Sequence, residues 1–304
     1  MSDADEPSDT GATAEALDQL ANTCTALVAA WHVFGAAHAA APSDTSRVST
    51  EVRQFERFNG PTPKNVGHAP GYFAGLYVDA IAQHVEALEA LLRTRRLTVA
   101  PWPIVRAALE IAGRVAWLLE PGLGERSGER RVARFYLESI SSLQRDRYTV
   151  GKYDRGQAKR IKRARDAQIA EATAVYDDLD LDLSEIENIE TWTVHGESYI
   201  GLGAAVQRFS DMCFSEASGL YDHLSDYSHP SLLATTRQTT AIESDGVIRR
   251  PWTVDVSTIE HQCRLICLIL YKTAHLIADY YDSDVAVLDR WADVAPPAWF
   301  TSTA

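Results

Sequence analysis

Two long proline-free stretches in this chain of 304 residues carry apolar residues at helical spacing. Residues 72–96 place Leu76, Ile81, Val85, Leu88 and Leu92 on one stripe, and residues 257–281 do the same with Ile259, Cys263, Ile266, Leu270 and Ile277. A side chain that returns every turn defines a single helix face, and that face must be covered by another element. Strand-like patterning is confined to 235–243 and 247–254, which flank the hairpin signal Asp245-Gly246. Prolines and glycines separate the helical runs. Helices are therefore expected over 14–40, 72–96, 125–148, 156–178, 204–229, 257–281 and 285–291. One more should run from the Pro101-Trp-Pro103 entry to about Leu119, and one or two turns should form near 48–58 inside the loop 41–71. The predicted fold is all-α: a bundle of seven to nine helices with at most one small β-hairpin near 233–256. Residues 1–12 read as a disordered acidic tail. Residues 13–304 read as one helical domain in which the charged stretch 150–190 forms an arm.

The chain is 46% hydrophobic, enough to build a sizeable core, and carries a formal net charge of -13. That acidity argues against a surface-wide nucleic-acid or membrane binder, since both partners demand positive fields. The first residues are acidic and unlike a signal peptide, and the apolar stretch 265–271 ends at Lys272, too short to span a bilayer. The expectation is a cytoplasmic protein with no membrane partner. Cys24, Cys213, Cys263 and Cys267 contain no Cys-x-x-Cys pair, so they read as free thiols, with Cys263 and Cys267 buried on one helix. No Walker loop, Gly-x-Gly-x-x-Gly, His-Glu-x-x-His or Gly-x-Ser-x-Gly occurs, and no cofactor is expected.

Two segments could carry chemistry. Tyr221, Ser225 and His229 lie at i, i+4 and i+8 on one helix face, and Pro230 places His229 at or near the helix end. There the helix dipole favours the protonated imidazole, which suits a general acid or base. Arg106, Glu110 and Arg114 repeat the same spacing inside an otherwise apolar helix, where charge is costly unless paired. Each polar face is the natural compensation for the other. Arg106, Glu110, Tyr221, Ser225 and His229 form the candidate catalytic set; a structural network with helix-capping roles is the alternative. Asp226 and His229 supply half of a metal motif that Glu110, Glu86 or His84 could complete. The basic run Lys152, Arg155, Lys159, Arg160, Lys162, Arg163 and Arg165 is a candidate RNA contact, although the acidic residues after it could neutralise it. The long apolar C-terminal helix and the aromatic end Trp299-Phe300 suggest a homodimer.

Pro103 with Arg106-x-x-x-Glu110, the ending Trp117-Leu-Leu-Glu-Pro121, the Arg-rich helix with Arg126, Arg130, Arg131 and Arg134, and the Tyr-x-x-Leu-Ser-x-x-x-His-Pro segment together resemble a group of uncharacterised helical proteins of actinobacteria. The likeness spans roughly residues 72–235. Those proteins loosely resemble HEPN-type helical domains, many of which are ribonucleases. The resemblance implies an RNA- or nucleotide-binding protein with ribonuclease activity. The nuclease signature of those domains is an Arg shortly before a His on one helix. Here Asp222, His223 and Leu224 stand where that Arg would be, and Arg106 would have to supply the cation from another helix. The alternatives are a non-catalytic interaction or scaffold protein and, third, a helical-bundle metal-binding protein.

Overall fold

A computed structural model describes residues 9–38, 42–56, 65–95, 101–124, 126–214, 219–228 and 255–300, together with 236, 239, 242–244 and 247–249. Among these are ten α-helices: α1 (Asp9–His38), α2 (Arg47–Gln54), α3 (Ala69–Thr94), α4 (Pro101–Leu119), α5 (Ser127–Val150), α6 (Arg155–Val175), α7 (Leu202–Cys213), α8 (Leu220–Ser228), α9 (Val256–Tyr281) and α10 (Ala286–Val294). The all-α expectation holds, but ten helices exceed the seven to nine expected. The difference arises where residues 204–229 read as one helix. The helix ends at Phe214, and Gly219 enters the next one with φ +87°, a left-handed conformation that glycine adopts freely. α1 also starts at Asp9, inside the stretch expected to be a disordered tail.

Strands are not confined to 233–256. β1 (Leu179–Asp180), β2 (Thr193–Val194) and β3 (Glu197–Ser198) form a small antiparallel sheet in the order β1-β2-β3. Two residues per strand leave no alternation to read. The turn between β2 and β3 is His195-Gly196, both at positive φ, as a tight hairpin requires. The expected hairpin is present as β4 (Ile242–Ser244) paired with β5 (Val247–Arg249); Asp245 and Gly246 lie outside the described residues.

α4 is the central helix and packs against α3, α7, α8 and α9. Its side chains Val105, Leu109, Ala112, Val115 and Trp117 are buried. Each large apolar side chain buried this way contributes about 1.5–3 kcal/mol over leaving it in water. At Gly113 the backbone of α7 comes so near that an added Cβ would lie 2.8 Å from Ala205 C and Val206 N. α1 buries Leu17, Leu20, Cys24, Leu27, Trp31 and Phe34, a three-four repeat that forms one seam against α3, α9 and α10. Residues 13–37 of α1 are long and apolar enough to cross a membrane, a property the shorter stretch 265–271 lacks. Every described tryptophan is buried, and Trp252 lies outside the described residues. The aromatic C-terminal end docks on its own chain: Arg264 Nε donates to Trp299 O at 3.1 Å, and Trp299 Nε1 donates to Glu260 Oε1 at 3.3 Å.

The charged stretch 150–190 begins with α6, capped by Asp154, whose carboxylate accepts from Gln157 N at 2.9 Å. α6 lies against α5 with Arg165 and Ala172 buried, and the acidic segment that follows returns to the core through Ile189 and Trp192.

Candidate functional site

α4 and α8 meet along a seam that begins at Trp102. The Trp102 indole stacks on Tyr227 with ring centroids 4.8 Å apart and meets His223 edge-on at 5.5 Å, while Leu224 is fully buried. These contacts orient α8 so that Tyr221 faces α4. Arg106 Nε donates to Glu110 Oε1 at 3.0 Å, Arg106 Nη2 donates to the Tyr221 hydroxyl at 3.3 Å, and that hydroxyl donates to Glu110 Oε1 at 3.1 Å. The guanidinium also sits over the Tyr221 ring, 5.3 Å from its centroid. The three groups form a closed triangle.

This triangle is half-open to water: the side chains of Arg106 and Glu110 are 19% and 24% exposed. Both of its bonds to the carboxylate fall on Oε1, so Glu110 Oε2 has no hydrogen-bond partner. Burial works against the charge on Arg106, but the Tyr221 hydroxyl and the Glu110 carboxylate outweigh it and hold the guanidinium above its ordinary pKa.

Of the five expected site residues, Arg106, Glu110 and Tyr221 are in contact. Ser225, one turn further along α8, is half-buried and makes no side-chain hydrogen bond. His229 lies outside the described residues. Arg114 points elsewhere, because eight residues of helix rotate it roughly 80° away from Arg106. It donates to Ile200 O at 2.8 Å and to the Tyr199 hydroxyl at 2.5 Å, and its guanidinium is 3.5 Å from Glu138. Among the described residues no group of three His, Cys, Asp or Glu side chains could hold a metal ion. The four cysteines are free; Cys24 Sγ and Cys267 Sγ meet across α1 and α9 at 3.7 Å.

The Arg-rich start of α5 builds a second set of polar contacts whose burial was not foreseen. Arg131 pairs with Glu51, and Tyr280 donates to the other oxygen of that carboxylate at 2.5 Å. Arg134 donates to Trp117 O at 2.7 Å, Glu120 Oε2 at 2.7 Å and Glu197 Oε2 at 2.5 Å. Arg130 pairs with the second oxygen of Glu197, and Arg208 reaches Glu120 at 2.6 Å. Burial raises Glu197, but its bonds to Arg134 and Arg130 prevail and leave it below the usual carboxylate range. These groups tie α2, α4, α7, α9 and the small sheet to α5. The available signal was the interleaving of Arg131 and Arg134 with Val132, Ala133 and Phe135, which puts the arginines on a helix with no fully polar face.

Compared with known proteins, the chain matches no protein family, no curated protein and no solved structure.

Proposed function

We propose that the chain is a HEPN-like cytoplasmic protein that binds RNA or a nucleotide at the α4–α8 seam, with ribonuclease activity as the reaction the seam would support. The observation that carries this reading is the unpartnered Oε2 of Glu110 beside a fixed guanidinium. A carboxylate oriented by Arg106 and Tyr221 is placed to accept a proton from a hydroxyl or water. The guanidinium is suited to a phosphate oxygen. His229 follows α8 directly in sequence and would complete an acid–base pair. The exposed cations Arg160 and Arg163 of α6 add long-range attraction for a nucleic-acid backbone.

The test is fluorescence anisotropy and gel cleavage of a labelled single-stranded RNA at low salt, with wild type beside Arg106→Ala, Glu110→Gln and His229→Ala. Arg106→Ala should weaken binding by about tenfold, the loss of one charge-assisted contact. Glu110→Gln should retain binding while cleavage is lost. Absence of binding by wild type would discard the reading.

The second reading, a non-catalytic scaffold, is favoured by the closure of the triangle, in which the three groups largely satisfy one another. Self-association belongs to both. Tyr72, Leu76 and Val33 are exposed apolar side chains, and Tyr72 and Leu76 line a groove of about 520 Å3 with Trp31, Phe34 and Ile277. A homodimer is the expected species in light scattering, and a monomer at micromolar concentration would remove this part of the proposal.

A further inference from the structure

A cleft of about 600 Å3 opens between α5, α6 and the turn at 184–187. Its two sides carry opposite charge. Arg147 of α5 and Arg155, Lys159 and Lys162 of α6 form one wall, the last three at i, i+4 and i+7 on one stripe; Glu185 and Glu187 stand on the other. Lys162 is paired with Asp166 at 2.6 Å. Arg147, Arg155, Lys159, Glu185 and Glu187 form no ion pair with any residue, although both signs line one cleft.

The gap persists because both walls are anchored. Gln144, buried at the back of the cleft, donates from Nε2 to Leu183 O at 3.3 Å, and its Oε1 accepts from Arg165 Nη1 at 2.5 Å and Arg147 Nη1 at 3.4 Å. One amide therefore fixes α5, α6 and the acidic segment to one another. The acidic turn is held independently: Asp182 accepts from Ser184 N at 2.9 Å and from Asn188 Nδ2 at 2.7 Å, and its carbonyl accepts from buried Trp192 at 2.8 Å. Collapse of the two walls onto each other would break these bonds.

We propose that this cleft binds a small zwitterion, a phosphate monoester that also carries an amine. The phosphate offers three acceptor oxygens to the cationic wall, and an ammonium offers three donors to the two carboxylates. A ligand of one sign would leave the opposite wall unmatched. A nucleic-acid strand would set its phosphates against Glu185 and Glu187, whereas Arg160 and Arg163 lie outside the cleft and are available to it. The inference does not rest on the α4–α8 seam.

The test is calorimetric titration of the full chain at low ionic strength with O-phosphoethanolamine, inorganic phosphate and ethanolamine. O-phosphoethanolamine should bind about tenfold more tightly than phosphate, the gain expected from one additional charge-assisted contact. Lys159→Ala and Glu185→Gln should each weaken it by about fivefold or more with the unfolding midpoint unchanged, since both side chains are exposed and unpaired. Arg163→Ala should leave it unchanged. Equal affinity for phosphate and O-phosphoethanolamine, an indifferent Glu185→Gln, or no heat from any of the three probes would overturn the proposal. So would displacement of O-phosphoethanolamine by single-stranded RNA with sensitivity to Arg163→Ala. Loss of RNA binding in Arg106→Ala bears on the seam alone.

Discussion

The molecule brings an arginine, a glutamate and a tyrosine together twice. At the α4–α8 seam, Arg106, Glu110 and Tyr221 close a triangle with the guanidinium 5.3 Å from the phenol ring. Between α2, α5 and α9, Arg131 and Tyr280 each bond to Glu51, and the third side is the guanidinium lying 5.5 Å from the Tyr280 ring rather than a hydrogen bond to its hydroxyl. What differs is water. Arg131 and Glu51 are 1% and 2% exposed, against 19% and 24% for Arg106 and Glu110. The sealed carboxylate uses both oxygens, one for Arg131 and one for Tyr280. The half-open one places both bonds on a single oxygen and leaves the other for a visitor. Identical chemistry thus serves as a rivet where it is dry and as a candidate site where it is wet, because burial decides whether a polar group has spare capacity.

The comparison can be broken most forcefully at Glu51. Removing it strands a buried guanidinium and a buried phenol, so Glu51→Ala should cost about 3–5 kcal/mol in urea unfolding. An unchanged midpoint would show that the sealed triangle is not a rivet. Glu110→Ala should cost less, about 1–2 kcal/mol, because water can reach the groups it leaves behind. Equal losses for the two variants would erase the distinction. Tyr221→Phe removes one hydroxyl from the half-open triangle and should cost about 0.5–1 kcal/mol, with RNA binding at least as strong as that of wild type.

The smallest effect is a dependence on pH with opposite signs at two carboxylates. Burial raises Glu51 despite the attraction of Arg131 and the bonds from Tyr280 and Arg131, whereas Arg134 and Arg130 lower Glu197. For Glu51 the folded state holds its proton more tightly than the unfolded one, so its contribution to stability falls as pH rises from the ordinary glutamate value through the raised one. For Glu197 stability is lost as pH falls below the ordinary value through the lowered one. Glu51→Gln should flatten the first limb and Glu197→Gln the second in stability profiles between about pH 3 and 7.

The half-open triangle was legible because both of its helices are strongly patterned. Arg106 and Glu110 interrupt an apolar run, and Tyr221 and Ser225 form a polar stripe, so each needed a partner of the other's kind. The sealed triangle was not. Glu51 sits in a short polar helix where a carboxylate raises no alarm, and its partners are 80 and 229 residues away. A contact that long-range leaves no local signature. The same limit hid the break between α7 and α8, where the residues remain good helix formers and only Gly219 marks the turn. It also hid the β1–β3 sheet, whose strands are too short to alternate. The long helices α3 and α9 were plain from periodicity alone, and α4 was marked at its start by Pro101-Trp-Pro103.

α1 bears on how the chain is made. Its buried seam is closed partly by α3, but Cys24 meets Cys267 across 243 residues, and Thr23 O accepts from Trp291 Nε1 across 268. During synthesis a helix apolar enough to enter a bilayer therefore leaves the ribosome long before its final cover exists. Until α9 and α10 arrive, Leu20, Leu27 and Trp31 present an incompletely covered apolar stripe to whatever apolar surface is nearby. Slowing translation between α3 and α9 should lengthen that exposure and lower the yield of folded chain, without altering a single contact in the finished molecule.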